Sequence, residues 1–131
     1  MQTSDLGITT TLKMPYEEAV EKVKAALKEE GFGVLTEIDV KATLKQKLGL
    51  DVDKYVILGA CNPPLAHRAI TSDPYVGLLL PCNVIVFEND GRSVVSAIDP
   101  ISVMADSSNE ELQSVAREVR PKLERAINRL G

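Results

Sequence analysis

Two periods of apolar recurrence share this chain. Residues 6–13 are rich in β-branched types and read as a strand. From Pro15 the period lengthens: Tyr16, Ala19, Val20, Val23, Ala26 and Leu27 fall at the three/four spacing of one buried helical face. Pro15 suits the first helical position, where its missing N–H costs nothing. Glu18 and Lys22 add a favourable pair on the opposite side, and Gly31 stops the helix. A second strand is predicted over 33–38. Asp39 then caps a short helix carrying Val40, Leu44 and Leu48, closed by Gly49. The run 55–61 is almost continuously apolar, as a central strand buried on both faces would be. Asn62-Pro63-Pro64 ends it, since proline cannot donate to a ladder.

A short helix is predicted over 65–71, stopped by Asp73-Pro74, with 75–81 as an apolar connector. A strand over 82–88 turns at Asn89-Asp90-Gly91 and returns over 93–98 as a hairpin. Ser108 with Glu111 reads as the capping box of a last helix. That helix buries Leu112, Val115, Ala116, Val119, Leu123, Ile127 and Leu130, and Pro121 is predicted to kink or break it near Arg120. No repeat, linker or low-complexity stretch interrupts the order, so 1–131 reads as a single α+β domain. The hairpin requires antiparallel pairing. A mostly antiparallel sheet with helices on one face is expected, with a ferredoxin-like split βαβ arrangement as the alternative.

Composition narrows the function classes. With 131 residues, 44% apolar and 26% charged, the chain is long and apolar enough for one core. Its 15 basic and 19 acidic residues leave a net charge of -4. A duplex-binding domain would carry a basic excess. With no Trp, three Tyr and two Phe, base-stacking platforms are not expected either, so no nucleic-acid partner is expected. Residues 1–5 lack the basic and apolar stretches of a secretory leader, and the apolar runs are too short to cross a bilayer. A cytoplasmic address with reduced thiols is therefore expected, with no membrane partner.

Candidate chemistry concentrates at one place. If strands 55–61 and 82–88 are antiparallel neighbours, the end of one lies beside the start of the other. Cys61-Asn62 and Cys82-Asn83 then meet at one sheet edge, each flanked by proline, with His67 in the helix leading away. Cys61, Asn62, His67, Cys82 and Asn83 are the candidate ligand-binding residues. Each also has an ordinary reading: cysteine as a small buried hydrophobe, asparagine before proline as a turn former, a lone histidine as a surface residue. The spacing Cys61, His67, Cys82 matches no zinc site and supplies only three soft ligands, so no metal is expected. The cysteines lie 21 residues apart, which excludes a Cys-x-x-Cys centre. Asp51 and Asp53 read as a solvated turn. No phosphate-cradling glycine loop or nucleophile elbow is present, and the sequence leaves the cofactor unknown.

The segments Gly59-Ala60-Cys61-Asn62-Pro63-Pro64-Leu65-Ala66, Asp73-Pro74 and Gly77-Leu78-Leu79-Leu80-Pro81-Cys82-Asn83-Val84 resemble the signature of the bacterial and archaeal "domain of unknown function 302" family. Pro15-Tyr16-Glu17-Glu18-Ala19 and Leu27-Lys28-Glu29-Glu30-Gly31-Phe32-Gly33 resemble that family's first helix and second strand. The resemblance implies a TBP-like α+β fold and often a homodimer. It implies no activity, and it carries over Cys61, Asn62, Pro63, Pro64, Leu80, Pro81, Cys82 and Asn83 as site candidates. The expectation is a dimeric small-molecule-binding or regulatory module. The alternatives are a thiol-dependent enzyme or carrier using Cys61 or Cys82, and a structural assembly subunit.

Overall fold

The structure, a computed structural model, describes residues 2–3 and 6–131. The expectation that residues 1–5 hold no leader falls largely on positions 1, 4 and 5, outside the described residues. In chain order the elements are β1 (Gln2–Thr3), β2 (Gly7–Leu12), α1 (Tyr16–Glu29), β3 (Gly33–Asp39), α2 (Val40–Leu48), β4 (Tyr55–Cys61) and α3 (Pro63–Ser72). A 3-10 helix (Pro74–Leu79), β5 (Cys82–Asn89), β6 (Arg92–Ile98), α4 (Pro100–Val103) and α5 (Glu110–Leu130) follow.

One six-stranded sheet runs β1-β2-β6-β5-β4-β3. Every pairing among the described residues is antiparallel, so the parallel pair of a split βαβ unit is absent there. The fold is α+β, as the hairpin and the helical periods required. Strand alternation places Val56, Leu58 and Ala60 of β4, Val84 and Val86 of β5, and Val95 and Ala97 of β6 on a buried face. That face meets the apolar stripes of α1 (Ala19, Val23, Leu27) and α5 (Val115, Val119, Leu123) in one core.

The other face departs from expectation. Tyr55, Ile57, Ile85, Phe87 and Val94 alternate with the core residues yet are only half-buried. The Tyr55 and Phe87 rings stack there, 5.4 Å apart between centroids and 10° from parallel. The run 55–61 is thus apolar on both faces but buried on one. Alongside this open face, α2 carries no buried residue. Local chemistry fixes that helix: the Asp39 carboxylate accepts from Ala42 N–H at 2.9 Å, and Gly49 ends it in the left-handed region at φ 69°.

One expectation for the last helix is corrected and another is narrowed. Asn109, not Ser108, is the N-cap, its side chain accepting from the Glu111 and Leu112 N–H groups at 2.9 and 3.1 Å. Pro121 does not end α5. It stands on the exposed side, while Leu123, Ala126 and Ile127 beyond it bury the same stripe that precedes it. Packing of the apolar face outweighs one missing backbone bond.

Candidate functional site

Three local structures converge on the end of β4. The first is the close of α1. Gly31 N–H reaches Lys28 O at 3.0 Å and Phe32 N–H reaches Leu27 O at 2.9 Å, the paired bonds of a Schellman cap. The cap needs the left-handed φ of 85° that Gly31 adopts, and it turns Phe32 into the core.

The second is the β4–β5 ladder. Ala60 faces Cys82 directly, and Gly59 faces Asn83, so Cys61 lies one residue from Cys82 on the adjacent strand. The backbones approach closely here: a Cβ on Gly59 would stand 2.2 Å from Thr36 Oγ1 and 2.8 Å from Pro81 Cγ. Gly59 is therefore required by space at a position where the sequence pattern reads only a strand residue.

The third is the start of α3. Pro63 and Pro64 occupy its first positions and have no N–H. Asn62 Oδ1 accepts from Leu65 N–H at 3.3 Å, and Asn62 O accepts from Ala66 N–H at 2.9 Å. The N–H groups of the first three helical residues are thus missing at Pro63 and Pro64 and paired at Leu65, and Ala66 N–H makes the ordinary first intrahelical bond.

Between these structures and α5 lies a cavity of about 290 Å³. Cys61, Asn62 and Cys82 are in its wall, among side chains such as Phe32, Leu65 and Ala116. Leu35 and Ile70, 66% and 44% exposed, also line it, which makes its mouth apolar. No charged side chain belongs to the wall. Burial first, and the charge of a Cys61 thiolate second, push the Cys82 thiol up to about 11. Cys82 is thus a neutral, polarisable wall group at physiological pH. Both cysteines are free thiols.

The other two candidates are elsewhere. Asn83 follows Cys82 in β5, so its side chain takes the opposite face of the sheet and is exposed. His67 is exposed on α3, beside a shallow surface recess shared with Arg68, Thr71, Ser72 and Glu111. Leu65 and Ala69 are the residues α3 buries, and a position midway between i and i+4 faces away from them. Among the described residues no three His, Cys, Asp or Glu side chains stand together as metal ligands would. No helix among them is long and apolar enough to cross a membrane.

The wall also includes Phe32, Ala69 and Met104, to which the sequence pattern gave no role, and Val115, Ala116 and Val119, which it assigned to the buried stripe of the last helix. Their three/four spacing on α5 marks a buried stripe, but periodicity is the same whether a stripe meets a filled core or a cavity.

Comparisons with known proteins identify the family and the fold. The family model described as "Domain of unknown function DUF302" matches residues 8–130. The chain is similar to a crystal structure of an uncharacterized conserved DUF302 protein from Bacillus stearothermophilus, at 29% sequence identity and a TM-score of 0.88, with 95% of this chain and 98% of that one covered. No curated protein matches the chain.

Proposed function

The chain belongs to the DUF302 family, and because that membership carries no activity, we propose that the protein is a small-molecule-binding or regulatory module whose binding site is the cavity walled by Cys61, Asn62 and Cys82. The observation carrying this reading is the cavity itself: about 290 Å³ of open, apolar space between α3, α5 and the strand ends, at the small end of the range of ligand pockets. The same wall argues against a thiol-dependent enzyme. A nucleophilic cysteine needs a lowered pKa, and Cys82 has the reverse. At the helix start beside Cys61, Pro63, Pro64 and Leu65 offer no free N–H to steady a thiolate. The test is occupancy: screening a fragment set by ligand-observed NMR should give hits that Ala66→Phe, which fills the cavity from α3, abolishes while leaving the far-UV circular dichroism unchanged. Hits indifferent to that variant would place binding elsewhere.

A specific observation favours an additional assembly role. Tyr75 and Leu78 are 79% and 87% exposed, and Leu79 is 42% exposed, in a segment without a charged residue. Such a patch is a liability unless something covers it. A second copy of the chain across a two-fold axis is the cover proposed here, as the family resemblance implies.

A further inference from the structure

We infer that the ligand of this cavity is an uncharged, predominantly apolar molecule of about two fused rings or ten carbons, and that the site excludes anions and cations alike. The inference rests on the binding role proposed above and names its ligand class.

Size sets the first bound. Apolar cavities of about 150 Å³ in other proteins stay dry and take a benzene molecule. The space here is about 290 Å³, close to twice that, and it opens through Leu35 and Ile70 instead of being sealed. A bicyclic or short-chain compound fits, and a nucleotide or a long-chain lipid does not.

The wall's polar inventory sets the second bound. It offers no Lys, Arg, Asp, Glu or His side chain. The start of α3, which in many proteins is an anion site, is disarmed here. Pro63 and Pro64 lack N–H groups, Leu65 N–H is held by Asn62 Oδ1, and Ala66 N–H by Asn62 O. A carboxylate or phosphate entering would surrender its hydration and gain no donor from that helix. A cation meets no carboxylate in the wall. Of the polar side-chain groups, the Asn62 amide nitrogen and the two thiols remain. They suit one weak directional contact to a neutral oxygen, sulfur or ring edge.

Three isosteric probes separate the cases: 1-naphthalenemethanol, 1-naphthoate and 1-naphthylmethylammonium, titrated at pH 7 by saturation-transfer NMR. The expected result is binding of the alcohol, with both ions weaker by ~100-fold or more, since unpaired burial of an ionised group is far costlier than that of a hydroxyl. Ala66→Phe should abolish alcohol binding. Ile70→Asp, a change at the exposed mouth that leaves the core alone, should weaken it at least tenfold and serves if the filling variant fails to fold. Equal binding of naphthoate or the ammonium compound, lost in the same variants, would overturn the ligand class and leave the cavity as the binding site. Failure of all three probes to bind, or alcohol binding untouched by both variants, would overturn the binding role itself.

Discussion

Cys61 ends β4 one residue away from Cys82, which opens β5 opposite the buried Ala60. The Cys82 thiol, pushed up to about 11, leaves a thiolate fraction of roughly 10⁻⁴ at pH 7. Cys61 should therefore alkylate faster than Cys82 in the folded protein, which site-resolved mass spectrometry after iodoacetamide at neutral pH will read. Equal, very slow labelling of both would mark two structural thiols. Stability follows the same group with a definite sign. The folded state holds the Cys82 proton more tightly than the unfolded chain, whose thiol ionises near 8.5. The associated stability is complete below that pH and is lost as pH rises towards 11, by up to ~3 kcal/mol. Denaturant titrations from pH 8 to 11 on wild type and Cys82→Ala should diverge over that window, and parallel curves would refute the link. At this scale the sequence was half legible. Adjacency of the cysteines followed from one strand's end and another's start. The separation of Asn83 from Cys82 was legible too, since consecutive strand residues point to opposite faces. His67 could likewise have been set aside, because the helix spacing that buries Leu65 and Ala69 turns it outward.

At the scale of elements, end chemistry and close approach matter more than propensity. Asn109 accepts two N–H bonds at the start of α5, whereas the sequence pattern singles out Ser108. Asn109→Ala should cost about 1 kcal/mol in chemical denaturation and Ser108→Ala almost nothing. The reverse order would restore the capping box. Gly59 faces a sharper constraint, with Thr36 Oγ1 and Pro81 Cγ inside the space a Cβ would occupy. Gly59→Ala should destabilise by about 1–3 kcal/mol, because the crowding atoms belong to a paired strand and a rigid ring. A neutral Gly59→Ala would mean that Pro81 moves freely. These two residues show why elements were legible and their boundaries less so. Asp39, Gly49 and Asn89-Asp90-Gly91 announce ends through backbone chemistry that works within a few residues. The demand on Gly59 arises from residues 23 positions earlier and 22 later, which no local pattern carries. The apolar run 75–81 was equally opaque. It became a 3-10 helix in which Val76 alone is fully buried, and hydrophobicity does not say which side of such a turn faces water.

The described residues leave two apolar surfaces partly open. One is the segment with Tyr75, Leu78 and Leu79; the other is the open sheet face with Ile38, 48% exposed, beside Ile57 and the Tyr55–Phe87 stack. A layer architecture buries a sheet on one side only when the other side is polar or is covered by a partner. Here the open face carries an apolar cluster among polar positions such as Thr9, Asn83 and Ser96, and the 3-10 segment is apolar, so a second copy has two places to bind and a two-fold axis uses one of them twice. Sedimentation of the wild type at micromolar concentration should give a dimer. Leu79→Asp should then give a folded monomer, because Leu79 is 42% exposed in the single chain and its replacement leaves the core residues Val76 and Leu58 untouched. A folded dimer in that variant would shift the seam to the sheet face, where Ile38→Asp becomes the decisive substitution. A wild-type monomer would refute the dimer outright. An unfolded Leu79→Asp chain would return the segment to the core, against its exposure. The cavity mouth at Leu35 and Ile70 is apolar as well, so the two measurements interlock. If Leu79→Asp both dissociates the dimer and weakens 1-naphthalenemethanol binding, assembly and binding share a surface. If binding is unchanged in the monomer, each chain holds a complete site of its own.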